Sequence, residues 1–179
     1  RYHLARENLL EDYTKENDIS FLSLRLANGF GAPANSNNTC WNLLINSLAR
    51  SLVFNGSFTF NSSPNISRDF FPLSLIEDFL VEIITENKPL PSKVLNFSMG
   101  HSLTLKEVSS RVNHIFLSLT GKSSEVKFLN KNNATDTTNK GDNFEINNAA
   151  LLHAFGKKPF DLSSLDQEIK QLLQQCMID

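Results

Sequence analysis

Ile19-Ser-Phe-Leu-Ser-Leu-Arg-Leu26, followed by Asn28-Gly-Phe-Gly-Ala-Pro33, is the stretch of sequence that decides the fold. Its apolar run is short and nearly continuous, which is typical of a buried parallel strand. Before it, Leu4 to Tyr13 carry apolar side chains at helical spacing, and we expect one buried stripe on that helix. A helix that leads into a buried strand is one step of a doubly wound α/β sheet.

The rest of the chain alternates helix and strand patterns. Periodicity and capping residues predict helices over Trp41 to Phe54, Leu75 to Glu86 after a Ser74 cap, Leu105 to Leu119 after a Thr104 cap, Asn147 to Phe155 before Gly156, and Ser164 to Cys176 after a Ser163 cap. Strands are predicted at Ser57 to Phe60, Lys93 to Ser98 and Glu125 to Leu129. The polar stretch Asn130 to Asn143 is expected to be a mobile loop.

Composition excludes several classes of protein. The 179 residues are 40% hydrophobic and 20% charged, which is typical of a folded soluble domain. A net charge of -2 without a basic cluster argues against nucleic acid as a partner, and no apolar run is long enough for a membrane helix. The spacing of Cys40 and Cys176 favours two reduced thiols, and the abundant Asn and Ser explain six Asn-x-Ser/Thr triplets by chance. We therefore expect a cytoplasmic protein without a metal site.

Three motifs occur in a fixed order along the chain. They are Arg25-Leu-Ala-Asn28-Gly-Phe-Gly-Ala-Pro33, Arg68-Asp-Phe70, and Val94-Leu-Asn96-Phe-Ser-Met-Gly100 leading into Leu103-Thr-Leu-Lys-Glu-Val108. In this order and spacing they resemble the extended short-chain dehydrogenase/reductase family, the NAD-dependent nucleotide-sugar epimerases and dehydratases. Phe155-Gly-x-x-Pro159 also resembles the tail of that family.

The resemblance implies the C-terminal, substrate-binding part of such an enzyme. The fold class would be α/β, with residues 1–33 forming the last helix-strand steps of a Rossmann-like parallel sheet and residues 34–179 a small mixed α/β substrate-binding lobe. The glycine-rich turn that holds a dinucleotide in the family has no counterpart here, so we expect the N-terminal NAD-binding half to be missing. The complete protein would use NAD or NADP and bind a nucleoside-diphosphate sugar; family members often dimerise, which leaves a homodimer open.

The catalytic Tyr-x-x-x-Lys pair of the family has two placements. An ungapped alignment puts His3 at the lysine position and places the tyrosine before residue 1, whereas Tyr2 and Arg6 could form the pair only if the helix were shorter by about one turn. We prefer the first placement, in which His3 would bind the nicotinamide ribose and carry only a partial charge near neutral pH. His3 on a frayed terminal helix is an equally simple interpretation for the isolated chain.

The resemblance also implies roles for other residues. Asn28 corresponds to the asparagine at the phosphate region of the nucleotide-sugar, Arg68 to the arginine that clamps the diphosphate, and Pro33 to a residue beside the cofactor. A planar guanidinium suits a diphosphate because it binds two oxygens at once. We interpret Arg25 as part of a structural ion pair and Trp41 as a core residue more than a base contact.

Two classes of function remain after this comparison. The first is an enzyme that oxidises a sugar by hydride transfer and then epimerises, dehydrates or reduces the intermediate. The second is a noncatalytic nucleotide- or partner-binding module derived from the same family, which the histidine at the lysine position favours. The isolated chain is expected to be inactive in either case.

Overall fold

The computed structural model describes residues 2–17, 19–34, 39–86, 93–129, 145–155 and 161–178. In these ranges the chain forms a mixed α/β structure with short parallel sheets, as predicted. The helices are α1 Tyr2–Asn17, α2 Leu44–Asn55, α3 Ser74–Glu86, α4 Leu105–Thr120, α5 Ala149–Phe155 and α6 Leu162–Ile178. The strands are β1 Ser23–Leu26, β2 Asn28–Phe30, β3 Ser57–Phe60, β4 Ser67–Arg68, β5 Phe70–Pro72, β6 Val94–Phe97, β7 Leu103–Thr104 and β8 Glu125–Phe128.

Parallel pairing dominates among the described strands. β1 pairs with β6, β2 with β5 and β3 with β8, all in parallel, whereas β4 and β7 are antiparallel. The partners of each parallel pair are far apart in sequence because a parallel connection needs a crossover, here supplied by helices. The strands predicted near residues 57, 94 and 125 are thereby confirmed. The predicted loop over residues 130–143 and the helix stop at Gly156 lie outside the described residues.

The core lies between three helices and the strands. α2 packs against both α4 and α6, and its side chains Ile45, Leu48 and Leu52 are fully buried. α4 buries Val108 and Val112 towards the same space. This spacing of three and four residues is the one that the sequence pattern used to predict these helices. The aromatic side chains Phe71, Phe79, Phe97 and Phe155 extend the core towards β5 and β6 through edge and stacked contacts.

The first helix does not bury a stripe, so that prediction is wrong for this chain. α1 has no buried residue, and it exposes Tyr2, Leu4, Leu9, Leu10 and Tyr13. Its apolar side chains are distributed around the helix. Two ion pairs, Glu7 with Arg25 and Glu11 with Lys93, join it to other described residues.

The predicted buried strand over residues 19–26 is also shorter and more exposed than expected. β1 begins at Ser23, and Ile19 and Leu26 are exposed. In the described part of the chain, β1 pairs on one edge with β6 and has no strand on its other edge. We call the exposed apolar side chains of α1 and the edge of β1 that pairs with no described strand the α1/β1 surface.

Of the three predicted helix caps, the structure confirms one and shows the other two to be wrong. Thr104 and Glu107 form the predicted capping box at the start of α4. At α6, Asp161 accepts hydrogen bonds from the backbone N–H groups of Ser163 and Ser164, so Asp161 is the cap in place of Ser163. A carboxylate two and three residues before these donors is the stronger acceptor, because it also interacts favourably with the positive end of the helix dipole.

Ser74 was predicted to cap α3, and this prediction is wrong. It is the first residue of the helix, and its hydroxyl donates to a carboxylate from α6. The predicted helix over Trp41 to Phe54 likewise divides, since Thr39–Asn42 is a 3-10 turn and α2 begins at Leu44. Within the described residues no helix is both long and apolar enough to cross a membrane.

Candidate functional site

Asn28 and the Arg68-Asp-Phe segment meet where β1 gives way to β2. The backbone N–H and the side-chain Nδ2 of Asn28 both donate to the carbonyl oxygen of Asp69, at 3.0 and 2.9 Å. The side chain of Asn28 is exposed, and its Oδ1 accepts no hydrogen bond from a described residue. The amide is therefore oriented by one bond and keeps an acceptor that a ligand can use.

Arg68 lies beside this contact, one residue before Asp69. Its guanidinium is exposed and donates from Nη1 to the carbonyl oxygen of Ser67, 2.9 Å away. Among the described residues no carboxylate pairs with it. β4 holds its backbone opposite Leu103 of β7. The structure therefore brings Asn28 to the residue that follows Arg68 and leaves most donors of the guanidinium open to an anion, and the ligand roles of both residues stay predictions.

Asp69 is the residue of this site that the sequence analysis missed. It is 1% exposed, and its carboxylate accepts from Ser98 Oγ at 2.6 Å and from the backbone N–H of Met99 at 3.0 Å. Burial raises the pKa of the Asp69 carboxyl, while the donors from Ser98, Met99 and Gly100 act in the opposite direction. An aspartate directly before two phenylalanines was the available indication, since a carboxylate carried into an apolar run must find donors.

Gly100 closes the turn that supplies these donors. Gly100 has φ of 74°, a left-handed conformation that glycine adopts without a steric cost. Asn148 donates from Nδ2 to the carbonyl oxygen of Ser98 and lies within 3.0 Å of the position that a Gly100 Cβ would occupy. The third motif thus holds the second motif in place, and through Asp69 it fixes Asn28.

The segment leading to Pro33 is anchored by a second buried polar group. Asn46 of α2 exchanges two hydrogen bonds with the backbone of Gly31, at 3.2 and 2.8 Å. Glu168 of α6 is 4% exposed, accepts from Ser74 Oγ at 2.5 Å, and lies against Gly31. Pro33 itself is half-buried. Sequence patterns indicated none of these contacts, because Asn46 and Glu168 are ordinary polar positions on predicted helices.

Glu168 predicts a dependence of stability on pH. Burial raises the pKa of its carboxyl above the ordinary 4.5, and Asp78 and Glu77 add to the effect. A carboxyl with a raised pKa in the folded state favours folding most below its unfolded pKa, and this contribution is lost as the pH rises through the folded pKa. We therefore expect the stability of Glu168→Gln relative to wild type to increase as the pH rises from about 4 to 7.

Urea unfolding at several pH values measures this difference. The same change at exposed Glu125 controls for the loss of one negative charge. A relative stability of Glu168→Gln that stays constant or falls with pH would contradict the prediction.

His3 lies in a different cluster, on α1. It lines an open pocket of about 340 Å³ with Leu4, Glu7 and Arg25. Arg25 donates from Nη2 to Glu7 Oε2 at 2.5 Å, which confirms the predicted structural ion pair. This hydrogen bond lowers the pKa of Glu7, and the proximity of His3 lowers it further. The structure places His3 beside Arg25, three residues before Asn28, and it shows no contact of His3 with Asn28 or Arg68.

Among the residues that the structure describes, no group of three or more His, Cys, Asp or Glu side chains could hold a metal ion. Trp41 packs against the core, half-buried, as the simpler interpretation predicted.

Comparisons of this chain with known proteins identify its fold. No family model and no curated protein matches the sequence. Among solved structures, a UDP-N-acetylglucosamine 4-epimerase from Methanobrevibacter ruminantium M1, in complex with UDP-N-acetylmuramic acid, is similar over 96% of this chain and 51% of its own, with TM-score 0.69 and 18% identity. RMD from Pseudomonas aeruginosa, complexed with NADPH, is similar over 98% and 53%, with TM-score 0.69 and 17% identity.

A third similar structure widens the range of chemistry on this fold. L-threonine 3-dehydrogenase from Trypanosoma brucei is similar over 98% of this chain and 52% of its own, with TM-score 0.66 and 18% identity. The predicted fold of the NAD-dependent epimerases and dehydratases is thus confirmed for this chain, which spans about half the length of these solved structures. At such identities the similarity shows the fold alone, and the site must carry any statement of function.

Proposed function

We propose that this chain is the substrate-binding part of an NAD(P)-dependent nucleotide-sugar epimerase or dehydratase. The observation that carries the proposal is the hydrogen bond from the Asn28 amide to the carbonyl oxygen of Asp69, the residue that follows Arg68, whose guanidinium is exposed and has no carboxylate partner among the described residues. Asn28 follows the carboxyl end of β1, where open α/β sheets bind their ligands, and Arg68 lies in β4, one residue before the Asp69 to which Asn28 binds. A nucleoside diphosphate fits this pair because its phosphate oxygens accept bidentate bonds from a guanidinium.

The α1/β1 surface supports the second part of the proposal, that a nucleotide-binding half completes the protein. A 16-residue helix that buries no side chain and exposes five large apolar ones is incompletely packed. A parallel strand with one unpaired edge among the described residues is likewise incomplete, since parallel sheets are normally covered. In this view residues 1–33 end the Rossmann-like core and residues 34–179 form the substrate lobe, and helices of the absent half would also make any homodimer.

The cofactor would be NAD or NADP, which supplies hydride transfer when bound. Of the described residues, His3 in its pocket fits the edge of such a site, since a histidine can hydrogen-bond a ribose hydroxyl. Pro33 would flank the same ligand from the loop after β2. Asn28 and Arg68 would hold the sugar nucleotide, so that the reacting carbon is presented to the cofactor. Neither Cys40 nor Cys176 forms a disulfide, which fits a cytoplasmic protein.

Substitution of Arg68 tests the proposed diphosphate contact. In the full-length product of the native reading frame, we expect Arg68→Ala to weaken UDP-sugar binding by at least tenfold, because a charge-assisted hydrogen-bond pair contributes about 1.5–3 kcal/mol. Isothermal titration calorimetry with UDP-glucose and with UDP-N-acetylglucosamine measures the effect. Arg68→Lys should recover part of the affinity, since it keeps the charge and loses the fork.

The control for this experiment is Lys122→Ala, which removes an exposed cation away from the proposed site. Its affinity should equal that of wild type. If Arg68→Ala also binds as wild type does, Arg68 is outside the site and the proposed function loses the observation on which it depends.

The noncatalytic alternative is favoured by one observation, the histidine at the position that resembles the family lysine. The mass of the native product separates the two. A mass near 35 kDa, about that of one two-lobed enzyme, would call for a turnover assay that follows nicotinamide absorbance with each UDP-sugar. A mass near 20.1 kDa would support a binding module, and so would a larger protein that binds UDP-sugars without turnover.

A further inference from the structure

A groove of about 560 Å³ lies along the outer face of α2, away from the side of this helix that packs into the core. Trp41, Arg50, Phe54 and Phe58 contribute its large side chains, and serine and asparagine side chains line the rest. Neither Asn28 nor Arg68 lines it. The volume is within the range of small-molecule sites, which is about 300–1,000 Å³.

Arg50 is the central residue of this groove, which we call the α2 groove. Its Cζ lies 4.8 Å from the centroid of the Trp41 ring and 5.8 Å from that of Phe54. Contacts with two aromatic rings restrict the guanidinium while leaving the N–H donors at its edge available. No described carboxylate forms an ion pair with Arg50, and no described group accepts a hydrogen bond from it. Its charge is therefore positioned by aromatic contacts and left uncompensated.

The surroundings define what such a group can bind. Phe54 is 55% exposed, so its ring can cover a flat apolar body. Nearby polar groups are already engaged: Ser51 donates to the carbonyl oxygen of Ser57 at 2.6 Å, and Asn55 donates to Ser51 at 3.3 Å. Arg50 is the one charged side chain among the described residues that line the groove, and an acceptor with two oxygens in one plane matches its fork.

We propose that the α2 groove is a second ligand site, which binds a flat organic carboxylate. The carboxylate pairs with the edge of the Arg50 guanidinium, and the flat body packs against Phe54 and Trp41. This inference is independent of the proposed nucleotide-sugar site, since the two share no lining residue.

Trp41 makes the test direct because it is the only tryptophan in this sequence. Its indole N–H peak in a ¹⁵N correlation spectrum of the full chain reports on the groove, and a Trp41→Phe variant assigns it. Benzoate and benzamide are the probes, since they have nearly the same shape and differ in charge. We expect benzoate to shift the indole peak saturably, and benzamide to leave it in place at the same concentrations.

Variants locate the contact. Arg50→Gln should weaken benzoate binding at least tenfold, and Arg50→Lys should weaken it less because the charge remains. Arg68→Ala should leave benzoate binding unchanged. Should Arg50→Gln fail to fold, the comparison of Arg50→Lys with wild type still decides, because an unchanged affinity would remove the planar fork from the site.

Three results would overturn the proposal. The first is an equal shift by benzamide, which would mean an apolar groove without anion selectivity. The second is wild-type benzoate affinity in Arg50→Gln. The third is an indole peak that moves with protein concentration in the absence of a probe, which would make this face a contact between two copies of the chain.

Discussion

Asp69→Ala is expected to lower the free energy of unfolding by about 3 kcal/mol, the largest effect of a single substitution near the site. The carboxylate is 1% exposed and accepts hydrogen bonds from Ser98, Met99 and Gly100. Removing it leaves the buried N–H of Met99 without an acceptor, and an unsatisfied buried donor costs about 1–3 kcal/mol. Ser98 and Gly100 lose their bonds to the carboxylate and keep only their second partners, the carbonyl oxygen of Ile146 and Ser98 Oγ. Loss of a desolvated charge offsets part of this cost, so the net effect is smaller than the sum.

Urea titrations of wild type and variant at pH 7 measure this loss. Asp161→Ala is the matched control, because Asp161 also accepts from a serine hydroxyl and two backbone N–H groups but is exposed. Water can replace an exposed acceptor, so this helix-cap change should cost about 1 kcal/mol. Equal losses at Asp69 and Asp161 would show that burial of the Asp69 network contributes nothing.

Asp69→Ala should also change ligand binding if the proposed function holds. The carbonyl oxygen of Asp69 orients Asn28, and its backbone places Arg68 one residue away. We therefore describe Asp69 as a positioning residue. Asp69→Asn keeps one acceptor oxygen, so it should recover part of the stability and part of the UDP-sugar affinity together.

Gly31→Ala is the second large effect, with an expected destabilisation of about 1–3 kcal/mol. A Cβ on Gly31 would overlap the Glu168 carboxylate and approach Leu73 Cβ to 3.2 Å. Glu168 cannot move aside cheaply, because it is buried and bound to Ser74. The backbone of Gly31 has an ordinary conformation for alanine, so the cost is one of packing and not of backbone strain.

A double-mutant cycle isolates this contact. Glu168→Ala alone should destabilise, since it leaves the Ser74 donors without an acceptor. The double variant should be more stable than the sum of the two single losses predicts, because the overlap is then gone. Gly29→Ala is the control, since its Cβ would meet the flexible side-chain ends of Leu26 and Leu73 and should cost less. If the losses of the two single variants simply add in the double variant, the proposed overlap between a Cβ at position 31 and the Glu168 carboxylate is wrong.

Local features were predictable because they depend on residues a few positions apart. The Thr104-Glu107 capping box, the left-handed turn at Gly100 and the helical faces of α2 and α4 follow from spacing of three or four residues. The three ordered motifs also identified the fold, and they predicted that Arg25 forms an ion pair. In each case the interacting groups lie within one element or on two elements whose pairing the motif order already implies.

Long-range burial was not predictable in the same way. Nothing local distinguishes Glu168 from an exposed glutamate of α6, or shows that Asp69 binds a turn 30 residues later in the chain. The packing of α6 onto Gly31 and Ser74 decides both the raised pKa of Glu168 and the start of α3, where the sequence suggested a serine cap. The apolar side chains of α1 are the converse case. Their spacing predicted a buried stripe, but no described element covers them.

The sequence by itself therefore determined the helices, the strands β1, β3, β6 and β8, their order, and the ligand candidates Asn28 and Arg68. The short strands β2, β4, β5 and β7 were not predicted. Only the tertiary structure decided that Asn28 binds the carbonyl oxygen of Asp69, that His3 lies in another cluster, and that Trp41 and Phe54 flank Arg50. The physical reason is the distance along the chain over which each interaction acts. Backbone propensity and capping act over about four residues, whereas desolvation and hydrogen-bond satisfaction depend on every element that packs around a group.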